Sequence, residues 1–208
     1  MTDRQVFLQL SLKAQGLACG RGDSVLARDI DISLAPGAGL LLRGPNGSGK
    51  STLLLTLAGL LPPLDGSIEF VGHDPDSGPV LHYCGHKNAV RPRLSVAQTL
   101  DFWIALNGDH GLTRDAALAE VGLGKTGALD AIYLSAGQQR RLALARLLVS
   151  PRPLWLLDEP SAALDGEGQA LLARLIGRHL ADGGTAVIAT HDDIAVPGLA
   201  ILDLGARP

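Results

Sequence analysis

Gly44-Pro45-Asn46-Gly47-Ser48-Gly49-Lys50-Ser51-Thr52 stands between the apolar run Gly39-Leu40-Leu41-Leu42 and a stretch with helical character from Lys50 to Ala58. The first eight residues satisfy G-x-x-x-x-G-K-[ST], and a buried strand before them with a helix after them makes the pattern a phosphate cradle. Gly47 and Gly49 permit backbone conformations that turn successive N–H groups inward, and the helix beginning at Lys50 adds the positive end of its dipole. Lys50 supplies a mobile cation for β- and γ-phosphates, and Ser51 supplies a hydroxyl for Mg²⁺. A glycine-rich turn with a merely solvated lysine would not need that flanking strand and helix.

Working outward, Leu8, Leu10, Leu12 and Ala14 alternate with polar residues, as do Ile30, Ile32 and Leu34. Both runs predict half-buried antiparallel strands, joined to the cradle through the turn Ala35-Pro36-Gly37. Beyond the first helix, closed by Gly59 and Pro62-Pro63, a strand is expected near Ser67 to Val71. The character then changes. Ser95-Val96-Ala97-Gln98 has the form of a capping box opening a helix to Leu106; Thr113 begins a second helix ending near Val121-Gly122, and Gln138 to Val149 forms a third. An α/β pattern resumes with strand Leu154 to Leu157, helix Gly166 to Ala181, and strands Thr185 to Ala189 and Ala200 to Leu204. The expected organisation is a single domain over about 5–208, with a core at about 5–85 and 150–208 and an inserted helical lobe at about 86–149.

Two further strings face the same chemistry. Leu154-Trp155-Leu156-Leu157-Asp158-Glu159 is a buried strand ending in adjacent carboxylates. Asp158, in line with the strand end, can hold Mg²⁺, and Glu159 can polarise an attacking water. Thr190-His191 follows the strand Thr185 to Ala189, whose carboxyl end lies near the nucleotide in an open α/β sheet. His191 is therefore expected to bond the γ-phosphate and orient Glu159. The remaining histidines, among them His86 and His179, lack metal-ligand spacing and read as structural or solvated.

Composition narrows the class. At 208 residues the chain suffices for one α/β domain and is short for two. A formal net charge of −3 provides no basic field, so nucleic acid is disfavoured as a partner. Cys19 and Cys84 are the two cysteines, and Met1-Thr2-Asp3-Arg4-Gln5 lacks the layout of a signal peptide, which predicts a reducing cytoplasmic setting. The apolar stretch Leu53 to Leu61 is broken by Gly59, well short of the roughly 20 residues a membrane span needs. A mean hydropathy of +0.21 fits either strands buried on both faces or an apolar docking surface.

The cradle alone leaves kinases, GTPases and motors open, although a GTPase would need an Asn-Lys-x-Asp, which is absent. Leu134-Ser135-Ala136-Gly137-Gln138-Gln139-Arg140-Arg141 resembles the LSGGQ signature of ABC ATPases. The other strings agree: Asp158-Glu159-Pro160 is similar to Walker B, Ser161-Ala162-Ala163-Leu164-Asp165 to the D-loop, and His191 to the switch histidine. The resemblance covers nearly the whole chain. It implies a P-loop NTPase (RecA-like) α/β core with an antiparallel β subdomain and an inserted helical subdomain. It also implies ATP and Mg²⁺ as cofactors, and ATP sandwiched between two copies of the chain. Ser135, Gly137 and Gln138 of one copy would then face the cradle of the other, since a serine hydroxyl, a glycine N–H and a helix N-terminus together form a second phosphate clamp. An ordinary helix cap by Ser135 is the plain alternative.

Two positions depart from that pattern. Lys87, in Cys84-Gly85-His86-Lys87-Asn88, stands where a glutamine normally touches Mg²⁺, and an ammonium has no oxygen to offer a metal. Either Lys87 meets phosphate directly, or His86 or water takes the role. The aromatic that commonly stacks on adenine is also missing. Arg21 in Leu17-Ala18-Cys19-Gly20-Arg21 can stack its guanidinium there, or stand as a solvated turn residue.

Within the family, Cys19-Gly20-Arg21, Leu81-His82-Tyr83-Cys84-Gly85-His86-Lys87-Asn88 and Tyr133 to Leu147 resemble the haem-exporter ATP-binding subunits of bacterial cytochrome c maturation. That resemblance implies a peripheral protein on the cytoplasmic face of the inner membrane. Its partners would be a membrane-spanning permease of the CcmB type and a CcmC-type haem handler, with the segment Ala89 to Phe102 as the place for an apolar groove. No residue pattern here binds haem, and the alternative is the ATPase of an importer or exporter with a different cargo.

Overall fold

In the computed structural model the described residues are 7, 9–22, 24–74, 76, 78–91 and 93–205. Leu8 and the segment Met1 to Gln5 lie outside them. In chain order, β1 (Ser11–Arg21) and β2 (Ser24–Leu34) come first, and β4 (Asp65–Val71) joins them in a three-stranded sheet of order β2-β1-β4. Both pairings of β1 are antiparallel. β1 runs well past the predicted alternation because its register shifts between Ala14 and Leu17, where Gly16 takes a φ of 55°. A bulge inserts an extra residue and inverts the inward–outward pattern. The sequence period of two is lost there while the strand continues.

The second sheet has five strands: β3 (Gly39–Arg43), β5 (Leu81–Cys84), β6 (Leu154–Asp158), β7 (Thr185–Ala189) and β8 (Ala200–Asp203), in the order β5-β6-β7-β3-β8. The pairs β3–β7, β3–β8 and β6–β7 are parallel. Every residue of β6 and β7 is buried, which is why both read as unbroken apolar runs. Helix α1 (Lys50–Leu57) buries Leu53, Leu54 and Leu57 in a core with Leu12, Leu17, Ile30, Leu42, Leu154, Leu156 and Val187. Each such leucine contributes about 1.5–3 kcal/mol by leaving water.

Three helices follow β5 in the chain before β6: α2 (Val96–Asn107), α3 (Arg114–Glu120) and α4 (Ala136–Val149). The capping box on α2 forms as the spacing predicts: the Gln98 N–H donates to Ser95 Oγ at 3.1 Å, and the Ser95 N–H donates to Gln98 Oε1 at 2.9 Å. Thr113 caps α3, accepting from the Ala116 N–H at 3.3 Å. α4 starts two residues before the predicted Gln138, and α5 (Gly166–Ala181) has the predicted bounds. The chain divides into two compact units, Met1–Tyr83 with Arg152–Glu159 and Ala173–Pro208, and Cys84–Pro151 with Pro160–Leu172. Among the described residues no helix is long and apolar enough to cross a membrane.

His179, near the end of α5, is 4 % exposed. Its ring stacks on Trp155 at 4.0 Å and meets the Phe7 ring edge-on at 4.9 Å, and Nε2 bonds the Thr185 carbonyl at 3.1 Å. Burial pulls its pKa down to about 4, against a smaller opposing pull from the Thr185 carbonyl. The folded ring is therefore neutral where the unfolded one, with a pKa of about 6.5, takes up a proton. Stability is complete above pH 6.5 and falls as the pH drops toward 4, by about 2 kcal/mol between pH 7 and pH 5. Urea titrations at those two pH values are expected to show that loss in the wild type and a smaller one in His179→Phe. An equal loss in both proteins would assign the pH dependence elsewhere.

Candidate functional site

The parallel register sets three strand ends side by side. Leu42 of β3 pairs with Ala189 of β7, and Ala189 pairs in turn with Asp158 of β6. The residues that follow are, respectively, Arg43 with the glycine-rich loop, Thr190-His191, and Glu159. The carboxyl edge of a parallel sheet is where the chain leaves its ladders, so side chains and loop N–H groups there are available to a ligand.

The loop has the backbone its glycines allow. Gly44, Gly47 and Gly49 have φ values of 135°, 85° and 95°. A Cβ at Gly44 would fall 2.7 Å from Ser48 Oγ, so a side chain there would have to displace the loop. Gly49 is the N-cap of α1; no side chain bonds the helix end, and its first turn carries no acidic residue. That end is open to an anion. Pro45, Asn46 and Gly47 are exposed at the loop tip, while Lys50 and Thr52 are buried. Lys50 Nζ donates to the carbonyls of Gly44 at 2.7 Å and Pro45 at 3.0 Å, so the ammonium sits inside the loop.

Ser51 and Asp158, 107 positions apart, meet: Ser51 Oγ donates to Asp158 Oδ1 at 3.0 Å. Asp158 is 4 % exposed. Glu159 has a φ of 47°, in a region that costs a side-chain-bearing residue of order 1 kcal/mol or more, and its N–H is tied to the Ala189 carbonyl at 2.7 Å. This turn brings its carboxylate to His191, with Nδ1 at 3.1 Å from Oε2. A carboxylate only accepts, so Nδ1 is the donor, and the ring is otherwise largely exposed. Ser51 thus meets Asp158, and Glu159 meets His191.

The signature residues belong to the other compact unit. Ser135 is the N-cap of α4 with a complete capping box: Gln138 N–H donates to Ser135 Oγ at 3.2 Å, and Ser135 N–H donates to Gln138 Oε1 at 2.9 Å. Such a cap contributes about 1 kcal/mol, and because the hydroxyl accepts in it, the serine proton stays available to an outside acceptor. The cap and the clamp are therefore compatible roles. A Cβ at Gly137 would fall 2.8 Å from the Ala163 carbonyl, and Ala163 has a φ of 63°. Arg141 Nη2 bonds Asp165 Oδ1 at 2.9 Å, and the Gly168 N–H together with that guanidinium holds the Asp165 carboxyl below the usual carboxylate range. Lys87 is exposed. Arg140, 1 % exposed, donates to the Gly85 carbonyl at 3.0 Å, two residues before Lys87.

Arg21 is exposed at the end of β1. Leu26 on β2 lies against the cradle, its Cβ 3.1 Å from where a Cβ at Gly49 would stand. Sequence reading passed over Leu26 because it falls outside the alternating part of β2. It also passed over Arg43, whose guanidinium reaches the His191 carbonyl at 2.6 Å and Asp193 Oδ1 at 2.7 Å. The available signal was a charged residue closing the apolar run Gly39 to Leu42.

Residues 27–162 match the sequence model of the ABC transporter family. The cytochrome c biogenesis ATP-binding export protein CcmA of Rhodopseudomonas palustris strain HaA2 is 48 % identical over 190 residues, covering 90 % of this chain and 94 % of that protein. The protein of the same name from Paramagnetospirillum magneticum is 46 % identical over 203 residues, covering 93 % and 94 %. Among solved structures, an ABC transporter ATP-binding protein from Pyrococcus furiosus superposes with a TM-score of 0.81 at 25 % identity, over 93 % of this chain and 97 % of that one.

Proposed function

We propose a function whose premise is that this chain belongs to the ABC transporter family, as an ATP-hydrolysing subunit. Its fold is the family's P-loop α/β arrangement. It binds nucleotide, and the cytochrome c biogenesis export proteins are its likeness within the family. The role proposed is to couple ATP binding and hydrolysis to haem export and release of a haem-loaded chaperone in cytochrome c maturation. The observation that supports a hydrolytic subunit is the meeting of Ser51 with Asp158 and of Glu159 with His191 along one strand edge, beside the Lys50 loop.

The residues take the following parts. Loop N–H groups between Gly44 and Thr52, Pro45 having none, and the open end of α1 bind phosphate oxygens, and the Lys50 ammonium bonds the β- and γ-phosphates. Ser51 Oγ and Asp158 Oδ1 are oxygen donors 3.0 Å apart, a set that suits a hard cation such as Mg²⁺. A cation held by these two residues would neutralise the phosphate charge that hydrolysis has to accommodate. Glu159 accepts the proton of the attacking water, and His191 holds that carboxylate through Nδ1–H. Leu26 and Arg21 border the base. A second copy supplies Ser135, Gly137 and Gln138 at the head of α4, whose first turn has no acidic residue to repel phosphate.

The partners proposed are that second copy, a permease of the CcmB type and a CcmC-type haem handler, at the cytoplasmic face of the inner membrane. The segment Ala89 to Phe102 would receive the permease. There Val96 and Leu100 are buried, while Val90, Leu94 and Phe102 stay half-buried. Co-purification with the permease, followed by ATPase assays with and without haem-loaded chaperone, tests this. Turnover is expected to respond to the chaperone. Turnover that ignores it and responds to a different cargo would overturn the haem assignment and leave the ATPase.

A further inference from the structure

We infer that Arg43 is a positioning residue for His191, a role that rests on the reading of the hydrolytic site given above. The backbone ladder between β3 and β7 ends at Leu42 and Ala189, and the next bond, from the Thr190 N–H to the Leu42 carbonyl, is long at 3.5 Å. Past that point the Arg43 side chain takes over. Its Nη1 donates to the His191 carbonyl at 2.6 Å, and its Nη2 donates to Asp193 Oδ1 at 2.7 Å. Both acceptors are far away in the chain, 148 and 150 positions on. A planar guanidinium holds two acceptors at a fixed angle, which a flexible ammonium cannot do.

His191 needs this support. Its side chain is 70 % exposed, so packing alone does not choose its orientation. Two local contacts help: the Asp192 N–H donates to Thr190 Oγ1 at 3.1 Å, and His191 Nε2 lies 3.5 Å from Asp192 Oδ1. With the His191 carbonyl pinned to the strand that feeds the phosphate loop, its Nδ1 is kept at 3.1 Å from Glu159 Oε2. The two arms of the fork are not equal. The Asp193 side chain is fully exposed, and such ion pairs are worth little in water, whereas Arg43 is 22 % exposed and its bond to the carbonyl acts on His191 directly. The arm to His191 therefore carries the effect. Arg43 also ties the phosphate loop to the loop of His191, since the next residue is Gly44, whose carbonyl accepts from Lys50.

The test measures ATP turnover in the complex purified with its membrane partner. Arg43→Met is expected to lower kcat about tenfold while KM for ATP changes less than about twofold, because a histidine displaced by a fraction of an ångström loses catalysis and leaves the phosphate cradle intact. Asp193→Asn stays near wild type. In a His191→Ala background, Arg43→Met is expected to cost less than about twofold, the non-additivity of a residue that acts through another. Should Arg43→Met not accumulate as folded protein, Arg43→Lys carries the same cycle, with a loss of about threefold that vanishes without the histidine. An unchanged kcat in Arg43→Met beside a crippled His191→Ala overturns the role, as does an equal loss in both backgrounds. A His191→Ala protein with full turnover overturns the underlying site reading instead, and the Arg43 role with it.

Discussion

Lys50→Ala is expected to lower kcat/KM for ATP by about 10²-fold or more. Lys50 is 8 % exposed, and two of its three ammonium protons go to the Gly44 and Pro45 carbonyls of the loop. Transfer of that cation to phosphate oxygens makes charge-assisted bonds worth about 1.5–3 kcal/mol each, so losing two of them sets the scale. The change acts on nucleotide binding first, and KM or the affinity for a fluorescent ATP analogue registers it. Thermal melting should move by only a few degrees, since Leu53, Leu54 and Leu57 of α1 stay packed. An alanine variant with unaltered affinity and turnover in the assembled complex would remove Lys50 from the cradle.

Glu159→Gln is expected to separate binding from chemistry. The amide keeps the shape of the side chain and its place beside His191, and loses the basicity that takes a proton from water. Hydrolysis should slow about 10²–10⁴-fold with ATP affinity retained. Because the bound triphosphate then persists, mass action favours any assembly that ATP holds together. Light scattering of the variant is expected to show a dimer with ATP and a monomer with ADP. Parallel loss of affinity and turnover would mean that Glu159 shapes the site and does not act as its base. The backbone makes that outcome worth measuring, because a φ of 47° at Glu159 depends on the bond to the Ala189 carbonyl.

Much of the fold is legible in the chain. The bounds of α5 and β7 agree with the reading from periodicity, since a long amphipathic helix and a fully buried strand give strong local patterns. The capping boxes at Ser95 and Ser135 are local in the same sense, with both partners within one helical turn. β1 and β2 were read short. Their pairing is maintained through register shifts, and Asp29 on β2 has a φ of 53°, so the alternation covers only part of each strand: β1 continues past Ala14 to Arg21, and β2 begins at Ser24, ahead of Asp29. α4 begins at Ala136, ahead of the predicted start, because a polar signature with a glycine hides its first turn from a hydrophobic pattern.

By itself the sequence determined which chemical groups are present and the short-range geometry each inherits: a glycine-rich loop on a helix, carboxylates at a strand end, a serine at a helix cap. Those features depend on neighbours a few residues apart, where bond geometry leaves few options. Tertiary structure alone decided which groups meet. Strand order β5-β6-β7-β3-β8 is a matter of long-range parallel pairing, to which no local period corresponds. That order brings Ser51 to Asp158 and sets Arg43 against the loop of His191. A hydrogen bond across more than a hundred residues exists only once the core between its partners has packed.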